Sequence, residues 1–400
     1  MIKVSKKVAS IAPSLTLAIS AKANELKAAG ERVINFGVGE PDFNTPEHII
    51  AAAKDAMDKG YTKYVAAAGL PALKKAICKK LKEDNNLDYE PAQIVVSNGG
   101  KHALFNAFYA IIEEGDEVII PVPYWLSYPE LVKICGGVPV YVHTTRESSY
   151  KMSPEQLEAA ITPKTKALIF NSPSNPTGAV YTEEEIRKLA HVCEKHGIMV
   201  VSDEIYEKLI YGGQKHFSIA QVSPEMKELT IVINGVSKAF AMTGWRLGYL
   251  AANTTIAKAI GSFQSHTTSN VNTITQYATI AALEGDKKPL NDMLAAFAAR
   301  RLKMLEMLEG FKKYGISYVK PDGAFYVMLV TDHFYGKTYK GKEIKGSMDV
   351  ADLLLTEKKV AVTPSICFGD DTSIRLSYAL SLEDMVEGLN HIAEFFAEIK

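Results

Sequence analysis

The stretch KALIFNSPSNPTGAVYTEEEIRKLAHVCEKHGIMVVSD, residues 166–203, decides the fold. It begins with the apolar run 166–171 and ends with a second one, Ile198–Asp203, and both have the length of buried strands. Between them, a T-x-x-E capping box from Thr182 predicts a helix, and Gly197 is placed to end it in a left-handed conformation. Because two parallel strands need a crossover helix, this order predicts a parallel strand pair.

Further apolar runs extend this alternation over the middle of the chain. Ile94–Ser97, Glu117–Pro121 and Thr230–Asn234 are predicted strands, and a helix should begin near Gly99. Continuously apolar strands between helices are typical of a mostly parallel sheet that is buried on both faces. The predicted fold class is therefore α/β, with a mostly parallel central sheet flanked by helices.

The two ends of the chain depart from this alternation. A helix is predicted over Ser14–Ala29, a long helix after about Asn291, and strands around Gly323–Val330 and Ser373–Ser377. Residues 331–347 are polar and basic, and we expect them to form an exposed insertion. We expect a smaller α+β domain that both chain ends build around a large domain. The expected division is 1–47 for the N-terminal arm and first part of the small domain, 48–290 for the large domain, and 291–400 for the remainder of the small domain.

Composition predicts an ordinary globular protein. Its 400 residues suggest two domains, and its formal net charge of −1 gives no basic surplus for binding nucleic acid or an anionic membrane. No apolar run approaches the ~18 residues of a membrane span, and no signal peptide is expected. The four cysteines are scattered, and neither they nor the nine histidines show metal-ligand spacing. We therefore expect a cytoplasmic protein that needs no metal.

Polar or glycine-rich motifs lie at the ends of four predicted strands, where ligands of parallel sheets bind. The motifs are N-G-G-K (98–101), S-P-S-N-P-T-G (172–178), D-E-I-Y (203–206) and G-V-S-K-A-F (235–240). Gly99 and Gly100 at a helix start predict a phosphate cradle, since free N–H groups and the helix dipole favour an anion. Alone, Asp203 could be a helix cap and Lys238 a surface charge. Their convergence with Arg246 at one sheet edge favours a binding site.

Together these motifs resemble the class I branch of the fold-type I aminotransferases that use pyridoxal 5'-phosphate (PLP). The most similar branch is subgroup Ib, which includes bacterial aspartate aminotransferases. Matching pieces run in order from G-E-P-D-F at 39–43 to R-L-S-Y at 375–378. The most specific are N-x-P-x-N-P-T-G, S-D-E-I-Y and S-K-A-F-x-M-T-G-W-R. The resemblance implies the PLP-transferase fold type I, PLP as cofactor, and a homodimer with composite active sites.

The resemblance also implies roles for the residues around the cofactor, with Lys238, Asp203 and Tyr206 as the catalytic ones. PLP is an aldehyde, and Lys238 would form a Schiff base with it and then serve as the catalytic base. Asp203 would keep the pyridine nitrogen protonated, because a nearby opposite charge favours the charged form. Tyr206 and Asn175 would donate hydrogen bonds to the phenolic oxygen of the ring.

The resemblance also implies which residues would contact the phosphate and the face of the pyridine ring of the cofactor. The residues implied for the phosphate are Gly99, Gly100, Lys101, Ser237, Arg246 and, from the other subunit, Tyr64. Ser237 is the candidate substitute for a hydroxyl that some relatives carry where this chain has Gly235. Trp125 would stack on the pyridine ring. The sharp loop of the family also implies a cis peptide bond between Asn175 and Pro176.

The residues implied for the substrate are Gly39, Lys101, Trp125, Asn175 and Arg375. Arg375 would grip the α-carboxylate in a bidentate pair that a lysine could not copy. In the most similar subgroup, a lysine at the place of Lys101 is associated with the distal carboxylate of dicarboxylic substrates. Aspartate and glutamate are therefore the expected donors, and 2-oxoglutarate and oxaloacetate the expected acceptors. If Lys101 serves only the phosphate, an aromatic or alanine aminotransferase or a PLP-dependent carbon–sulfur lyase stays open.

Three other functions are not expected. Relatives that accept prephenate carry a basic residue where this chain has Ala12. A PLP-sensing regulator would carry a DNA-binding helical domain, and the residues before G-E-P-D-F leave no room for one. A nicotinamide dehydrogenase would carry G-x-G-x-x-G after an early strand, and no early strand is followed by it.

Overall fold

The structure is a computed structural model that describes residues 3–9, 11 and 15–400. Its helices are α1 (Lys6–Ala9), α2 (Leu15–Ala28), α3 (Glu47–Asp58), α4 (Pro71–Asn85), α5 (Gly100–Ile111), α6 (Ser127–Ile134), α7 (Pro154–Ala160), α8 (Glu183–His196), α9 (Pro224–Leu229), α10 (Thr254–Thr267), α11 (Thr273–Glu284), α12 (Lys288–Glu309), α13 (Ser347–Lys358) and α14 (Leu382–Glu398). Its strands are β1 (Ile34–Asn35), β2 (Ile94–Ser97), β3 (Glu117–Val122), β4 (Val138–His143), β5 (Thr165–Asn171), β6 (Met199–Asp203), β7 (Thr230–Gly235), β8 (Gly248–Ala251), β9 (Ser317–Tyr318), β10 (Tyr326–Val330), β11 (Thr338–Tyr339), β12 (Lys342–Glu343), β13 (Val360–Ala361), β14 (Thr363–Pro364) and β15 (Ser373–Ser377). Among these helices, none is both long enough and apolar enough to cross a membrane.

A seven-stranded sheet forms the centre of the fold, in the order β2-β8-β7-β6-β5-β3-β4. Neighbouring strands run parallel except at β8, which is antiparallel to both β2 and β7. The predicted mostly parallel sheet is therefore confirmed. The apolar runs of the sequence correspond to β2, β3, β5, β6 and β7. The sequence analysis predicts neither β4, which lies at the edge of the sheet, nor β8.

Alternate residues of the central strands pack against helices on opposite faces of the sheet. Ile169 and Val201 belong to a buried cluster with residues of α5 and α10, whereas Leu168 and Val200 pack with residues of α8. Burying an aliphatic side chain of this size contributes about 1.5–3 kcal/mol. Because both faces are covered, the strands read as continuous apolar runs and not as alternating ones.

Helix α8 begins and ends where the sequence predicts. The Thr182 hydroxyl accepts a hydrogen bond from the backbone N–H of Glu185 at 3.3 Å, and the Glu185 carboxylate accepts from the N–H of Thr182 at 2.7 Å. Gly197 ends the helix with φ of 65°. The helix returns the chain to the sheet, so that β5 and β6 pair in parallel and end side by side at Asn171 and Asp203.

Both ends of the chain contribute to a second group of strands. An antiparallel sheet has the order β14-β15-β10-β9, and β1 pairs in parallel with β13 through Ile34 and Val360. Within the sheet, Arg375 of β15 lies opposite Met328 of β10. This pairing places Arg375 beside the start of β10, at Tyr326. The division at residues 47 and 290 stays a prediction.

The expectation of an exposed insertion over 331–347 is wrong in part. Phe334, Tyr339 and Ile344 are buried, and β11 and β12 form a small antiparallel ribbon there. Phe334 stacks on Phe396 of α14, with ring centroids 5.0 Å apart. The segment is polar and basic on average, but it contains these three buried residues. Phe334 and Tyr339 pack against α14, and Ile344 belongs to the main hydrophobic core.

Candidate active site at the strand ends

A cavity of about 400 Å³ lies at the carboxyl ends of the central strands. A volume of this size suits a small ligand or cofactor. The predicted site residues that line it are Gly39, Gly100, Lys101, Trp125, Asn175, Asp203, Tyr206, Ser237, Lys238, Arg246 and Arg375. Parallel strands bring these residues together although they are far apart in the sequence.

Lys238 lies just beyond β7, within the cavity. Its ammonium donates a hydrogen bond to the carbonyl of Gly39 and lies 5.9 Å from the ring centroids of Tyr206 and Phe325. The pKa of Lys238 is lowered from 10.5 to about 8, mainly by burial; Glu40 acts to raise it, and the charges of Arg375 and Arg246 act to lower it. A larger share of this lysine is therefore a neutral, nucleophilic amine near neutral pH than of an exposed lysine.

Asp203 ends β6 with its side chain buried in the cavity wall. The hydroxyl of Tyr128 donates to its carboxylate at 2.7 Å, and the N–H of Ile205 donates at 3.2 Å. Asn171 fixes the backbone, because its amide donates to the carbonyl of Asp203 at 2.9 Å. Burial raises the pKa of Asp203 to about 6, and the hydrogen bond from Tyr128 works in the opposite direction. A buried carboxylate of this kind would favour a cationic ring nitrogen beside it.

The turn before α5 has the shape of an anion cradle. Gly99 has φ of +87°, a conformation that L-amino acids other than glycine rarely adopt, and a Cβ atom there would lie 2.5 Å from Nη2 of Arg246. Arg246 donates to the carbonyl of Thr243 at 2.9 Å, which holds its guanidinium against the turn. Helix α5 begins at Gly100, so the free N–H groups of its first turn follow directly on the glycine that Arg246 contacts.

Lys101 follows directly on the cradle. Its ammonium lies 5.0 Å from the ring centroid of Trp125, and both side chains line the cavity. Desolvation and, after it, the charge of Arg246 lower the pKa of Lys101. An anionic ligand group nearby would relieve both effects.

Arg375 lies buried at the side of the cavity that β15 forms. It donates to the amide oxygen of Asn175 at 2.8 Å and to the carbonyl of Gly37 and the hydroxyl of Thr363 at 3.3 Å each. Its buried Nε has no hydrogen-bond partner among the described residues. No described residue accepts from the amide N–H groups of Asn175, which leaves them for a ligand. The guanidinium is thus fixed in place but carries no carboxylate partner among the described residues.

The loop that carries Gly39 is fastened on both sides. The Thr243 hydroxyl donates to Glu40 at 2.6 Å, and Arg300 forms two hydrogen bonds with Asp42, at 2.7 and 2.9 Å. These contacts hold the N-terminal loop over the cavity. The predicted cis peptide bond between Asn175 and Pro176 is present.

Two predicted residues stand outside the cavity lining. Gly99 lies behind it, against Arg246, whereas Tyr64 is 89% exposed and does not line the cavity of its own chain. Ala12, on which the expectation about prephenate rests, lies outside the described residues.

A buried cluster of possible metal ligands lies behind Asp203. Glu204, Glu207 and His216 offer ligand atoms within 4.8 Å of one another. The ammonium of Lys80 already forms an ion pair with Glu207, and Nε2 of His216 lies 2.9 Å from Glu204. Because a lysine supplies the positive charge there, we assign no metal to this cluster.

Sequence reasoning missed several residues that shape the site. Tyr128 lies in the first turn of α6, three residues after Trp125, and no spacing in the sequence connects it with Asp203. Asn171 and Thr243 belong to the N-x-P-x-N-P-T-G and S-K-A-F-x-M-T-G-W-R motifs, but the sequence does not show that they act through hydrogen bonds to the backbone of Asp203 and to Glu40. Tyr326 lines the cavity from β10, where the sequence predicts only a strand.

Comparisons with known proteins match this chain to aminotransferases over nearly its whole length. The model of the family described as aminotransferase class I and II matches residues 31–392. An aspartate aminotransferase of Geobacillus stearothermophilus is 51% identical over 396 residues, which cover 98% of each chain. The crystal structure of the aspartate aminotransferase from Rhizobium meliloti has a TM-score of 0.96 at 40% identity and covers 100% of both chains. That of Thermus thermophilus with maleate has a TM-score of 0.92 at 42% identity and covers 99% of this chain and 100% of its own.

Proposed function

The chain belongs to the class I and class II aminotransferases, and from this premise we propose that it acts as a PLP-dependent aspartate aminotransferase. It moves the amino group between L-aspartate or L-glutamate and 2-oxoglutarate or oxaloacetate. The observation that carries this proposal is one cavity that Lys238 lines together with three further cations, Lys101, Arg246 and Arg375.

The residues around the cavity fit PLP. Gly99 and Gly100 leave room for a phosphate beside Arg246, and Asp203 is a buried carboxylate that would pair with a protonated pyridine nitrogen. PLP, when bound, supplies an aldehyde that takes up the amino group and a ring that takes up electrons. Tyr206 lies at the same wall, with its hydroxyl available to the phenolic oxygen.

Lys238 carries the proton transfer in this proposal. Its amine lies in the cavity, and its lowered pKa keeps part of it neutral near pH 7. With PLP bound, the free amine of Lys238 would take up and return a proton at the substrate α-carbon. Trp125 and Gly39 line the same cavity as Lys238.

In this proposal, the positive charges of Arg375 and Lys101 select the substrate. Every amino acid has an α-carboxylate, which Arg375 would hold with the donors that Asn175, Gly37 and Thr363 leave free. Discrimination therefore falls to the other end of the substrate, where Lys101 offers a cation. The related structure from Thermus thermophilus contains maleate, which is a dicarboxylate.

A panel of amino donors tests the proposed function. Single-turnover absorbance changes would be recorded with aspartate, glutamate, alanine, phenylalanine, tyrosine and cystathionine. We expect the largest kcat/KM for aspartate and glutamate. A preference for alanine, for an aromatic amino acid, or for release of a thiol from cystathionine would favour the alternative aminotransferases or the carbon–sulfur lyase.

Replacing Lys101 by serine should reduce activity selectively. A charge-assisted hydrogen bond contributes about 1.5–3 kcal/mol, so kcat/KM for aspartate should fall about 10–150-fold. The kcat/KM for alanine should change little, because alanine has no distal carboxylate. Lys54→Ser on the exposed face of α3 is the matched control and should alter neither substrate. Equal losses for aspartate and alanine would show that Lys101 serves the phosphate.

We also propose that the active enzyme is a homodimer with composite sites. Among the described residues, Tyr64 is the most exposed of the large hydrophobic side chains, and it does not line the cavity of its own chain. The resemblance assigns it to the phosphate of the other subunit, which would explain an aromatic residue that its own chain leaves in solvent. Isologous pairing would give both sites the same contribution.

Mixing two inactive variants should restore activity. In a hybrid of Lys238→Ala and Tyr64→Ala subunits, one site has both mutations and the other has neither. Random exchange makes half of the dimers hybrids, so roughly a quarter of the wild-type activity should return. A mixture of Lys238→Ala with Asp203→Asn is the control, because both residues belong to one chain's site and no complete site can form. The absence of complementation, or a fully active monomer in sedimentation, would contradict composite sites.

A further inference from the structure

Tyr326 occupies the junction between the parts of the site proposed for cofactor and for substrate. It begins β10, lines the cavity and is 1% exposed. Its hydroxyl lies 3.0 Å from the hydroxyl of Tyr206, and its ring lies 4.2 Å below the guanidinium carbon of Arg375. A Cβ atom on Gly39 would lie 3.4 Å from the same hydroxyl, so the loop over the cavity also approaches it.

The number of available protons determines which hydroxyl donates in the hydrogen bond between Tyr206 and Tyr326. Burial raises the pKa of both phenols, so each hydroxyl keeps one proton near pH 7 and can donate only once. One proton lies between the two oxygens. If Tyr206 donates to the phenolic oxygen of the cofactor, it must accept the proton of Tyr326. A hydroxyl that accepts one hydrogen bond is polarised and becomes a better donor in the next.

The ring of Tyr326 makes a second, separate contact. Arg375 on β15 lies over its face at a distance at which a cation–π contact is favourable, and both groups are buried. The ring therefore supports the guanidinium through its face, whereas Asn175 supports it through a hydrogen bond to its amide oxygen at 2.8 Å. The hydroxyl and the ring thus act on different neighbours.

We propose that Tyr326 is a positioning residue that directs the Tyr206 hydroxyl onto the phenolic oxygen of the cofactor and holds the Arg375 guanidinium for the substrate carboxylate. This inference rests on the proposed function. The two contacts can be separated, because phenylalanine removes the hydroxyl and keeps the ring, whereas leucine removes both.

The hydroxyl is tested by the pH dependence of the absorbance of the PLP-loaded protein. The absorbance of the bound cofactor would change when the proton shared by its phenolic oxygen and the nitrogen of Lys238 is lost. The midpoint of this change with pH therefore reports how tightly that proton is held. With a weaker bond from Tyr206, the negative charge on that oxygen is less stabilised and the proton is held more tightly. Tyr326→Phe should therefore shift the midpoint upward by about 0.3–1.1 pH units, which corresponds to the roughly 2–12-fold effect of one neutral hydrogen bond. The kcat for aspartate should fall by a similar factor while its KM stays near that of the wild type.

The ring is tested by the affinity for maleate, measured from the absorbance change on binding. Tyr326→Phe should bind maleate as the wild type does, and Tyr326→Leu should bind it about 30-fold more weakly, as expected for the loss of a desolvated cation–π contact. Tyr378→Phe is the matched control. Tyr378 is equally buried, and its hydroxyl donates to the carbonyl of Ala324 at 3.2 Å, but it does not line the cavity. It should leave the midpoint and the maleate affinity unchanged.

The outcomes separate this proposal from the function on which it rests. An upward shift with Tyr206→Phe and with Tyr326→Phe, but not with Tyr378→Phe, supports it. A shift with Tyr206→Phe and none with a folded Tyr326→Phe overturns the proposal and leaves the proposed function intact. An equal shift in Tyr378→Phe overturns it as well, because the effect would then be merely structural. If the wild type binds no PLP or shows no absorbance change with aspartate, the proposed function falls and this proposal with it.

Discussion

Replacing Lys238 by alanine should reduce the transamination rate by about 10⁴-fold, the upper end of what one positioned general base contributes. Alanine removes both the amine that would attach the cofactor and the base that would move the proton. The cavity offers a second lysine, Lys101, but its ammonium lies over Trp125 and beside the charge of Arg246. That placement suits an anion and not proton transfer at the α-carbon.

Chemical trapping and kinetics check this expectation separately. Borohydride reduction of the PLP-loaded protein, followed by peptide mass mapping, should place the adduct on Lys238 in the wild type. Lys101→Ala is the matched control, since it removes the other lysine of the cavity and should keep the adduct on Lys238. An adduct on another lysine of the wild type would refute the assignment. A near-normal rate in Lys238→Ala would show that a different group moves the proton.

Much of the fold can be predicted from the sequence, because helix caps and apolar runs mark the same helices and strands that the sheet topology requires. The capping box at Thr182 and the glycine at 197 define α8, and the apolar runs before and after it become β5 and β6. The carboxyl ends of parallel strands lie at one sheet edge, which is why motifs far apart in sequence line one cavity. The buried positions of Phe334 and Tyr339 escape this reasoning, because only tertiary packing on α14 makes them apolar anchors.

The site is harder to predict from the sequence where it depends on side-chain contacts between different helices and strands. Tyr128 reaches Asp203 from the start of α6, and Tyr326 reaches Tyr206 from a strand of the other sheet. Neither pair has a characteristic spacing, because the distances follow from how the two sheets and α6 pack. Arg375 was found only through the resemblance, since an arginine near the chain end is otherwise an ordinary surface cation.

Replacing Asp203 by asparagine is expected to have the second largest effect, about a 10–10³-fold loss of transamination. A carboxylate beside a basic nitrogen raises its pKa by about 1–3 units, and each unit is tenfold in the protonated fraction once the nitrogen's pKa lies below the working pH. Asparagine keeps the shape: its amide oxygen can accept from the N–H of Ile205, and its amide N–H can donate to the hydroxyl of Tyr128, which reverses that hydrogen bond, so the fold should persist. What is lost is the charge that would hold a pyridinium.

The same residue predicts the pH dependence of cofactor binding. Burial raises the pKa of Asp203 in the cofactor-free site to about 6, so the carboxyl is charged above this pH and neutral below it. The affinity of the cofactor-free protein for PLP should therefore fall as the pH is lowered through 6. The Asn variant should lack this fall, which spectral titration with PLP would show. Asp370→Asn is the matched control, because burial also raises the pKa of Asp370 but that residue does not line the cavity. Near-normal turnover in Asp203→Asn, or the same fall in PLP affinity below pH 6, would mean that another group controls the ring nitrogen.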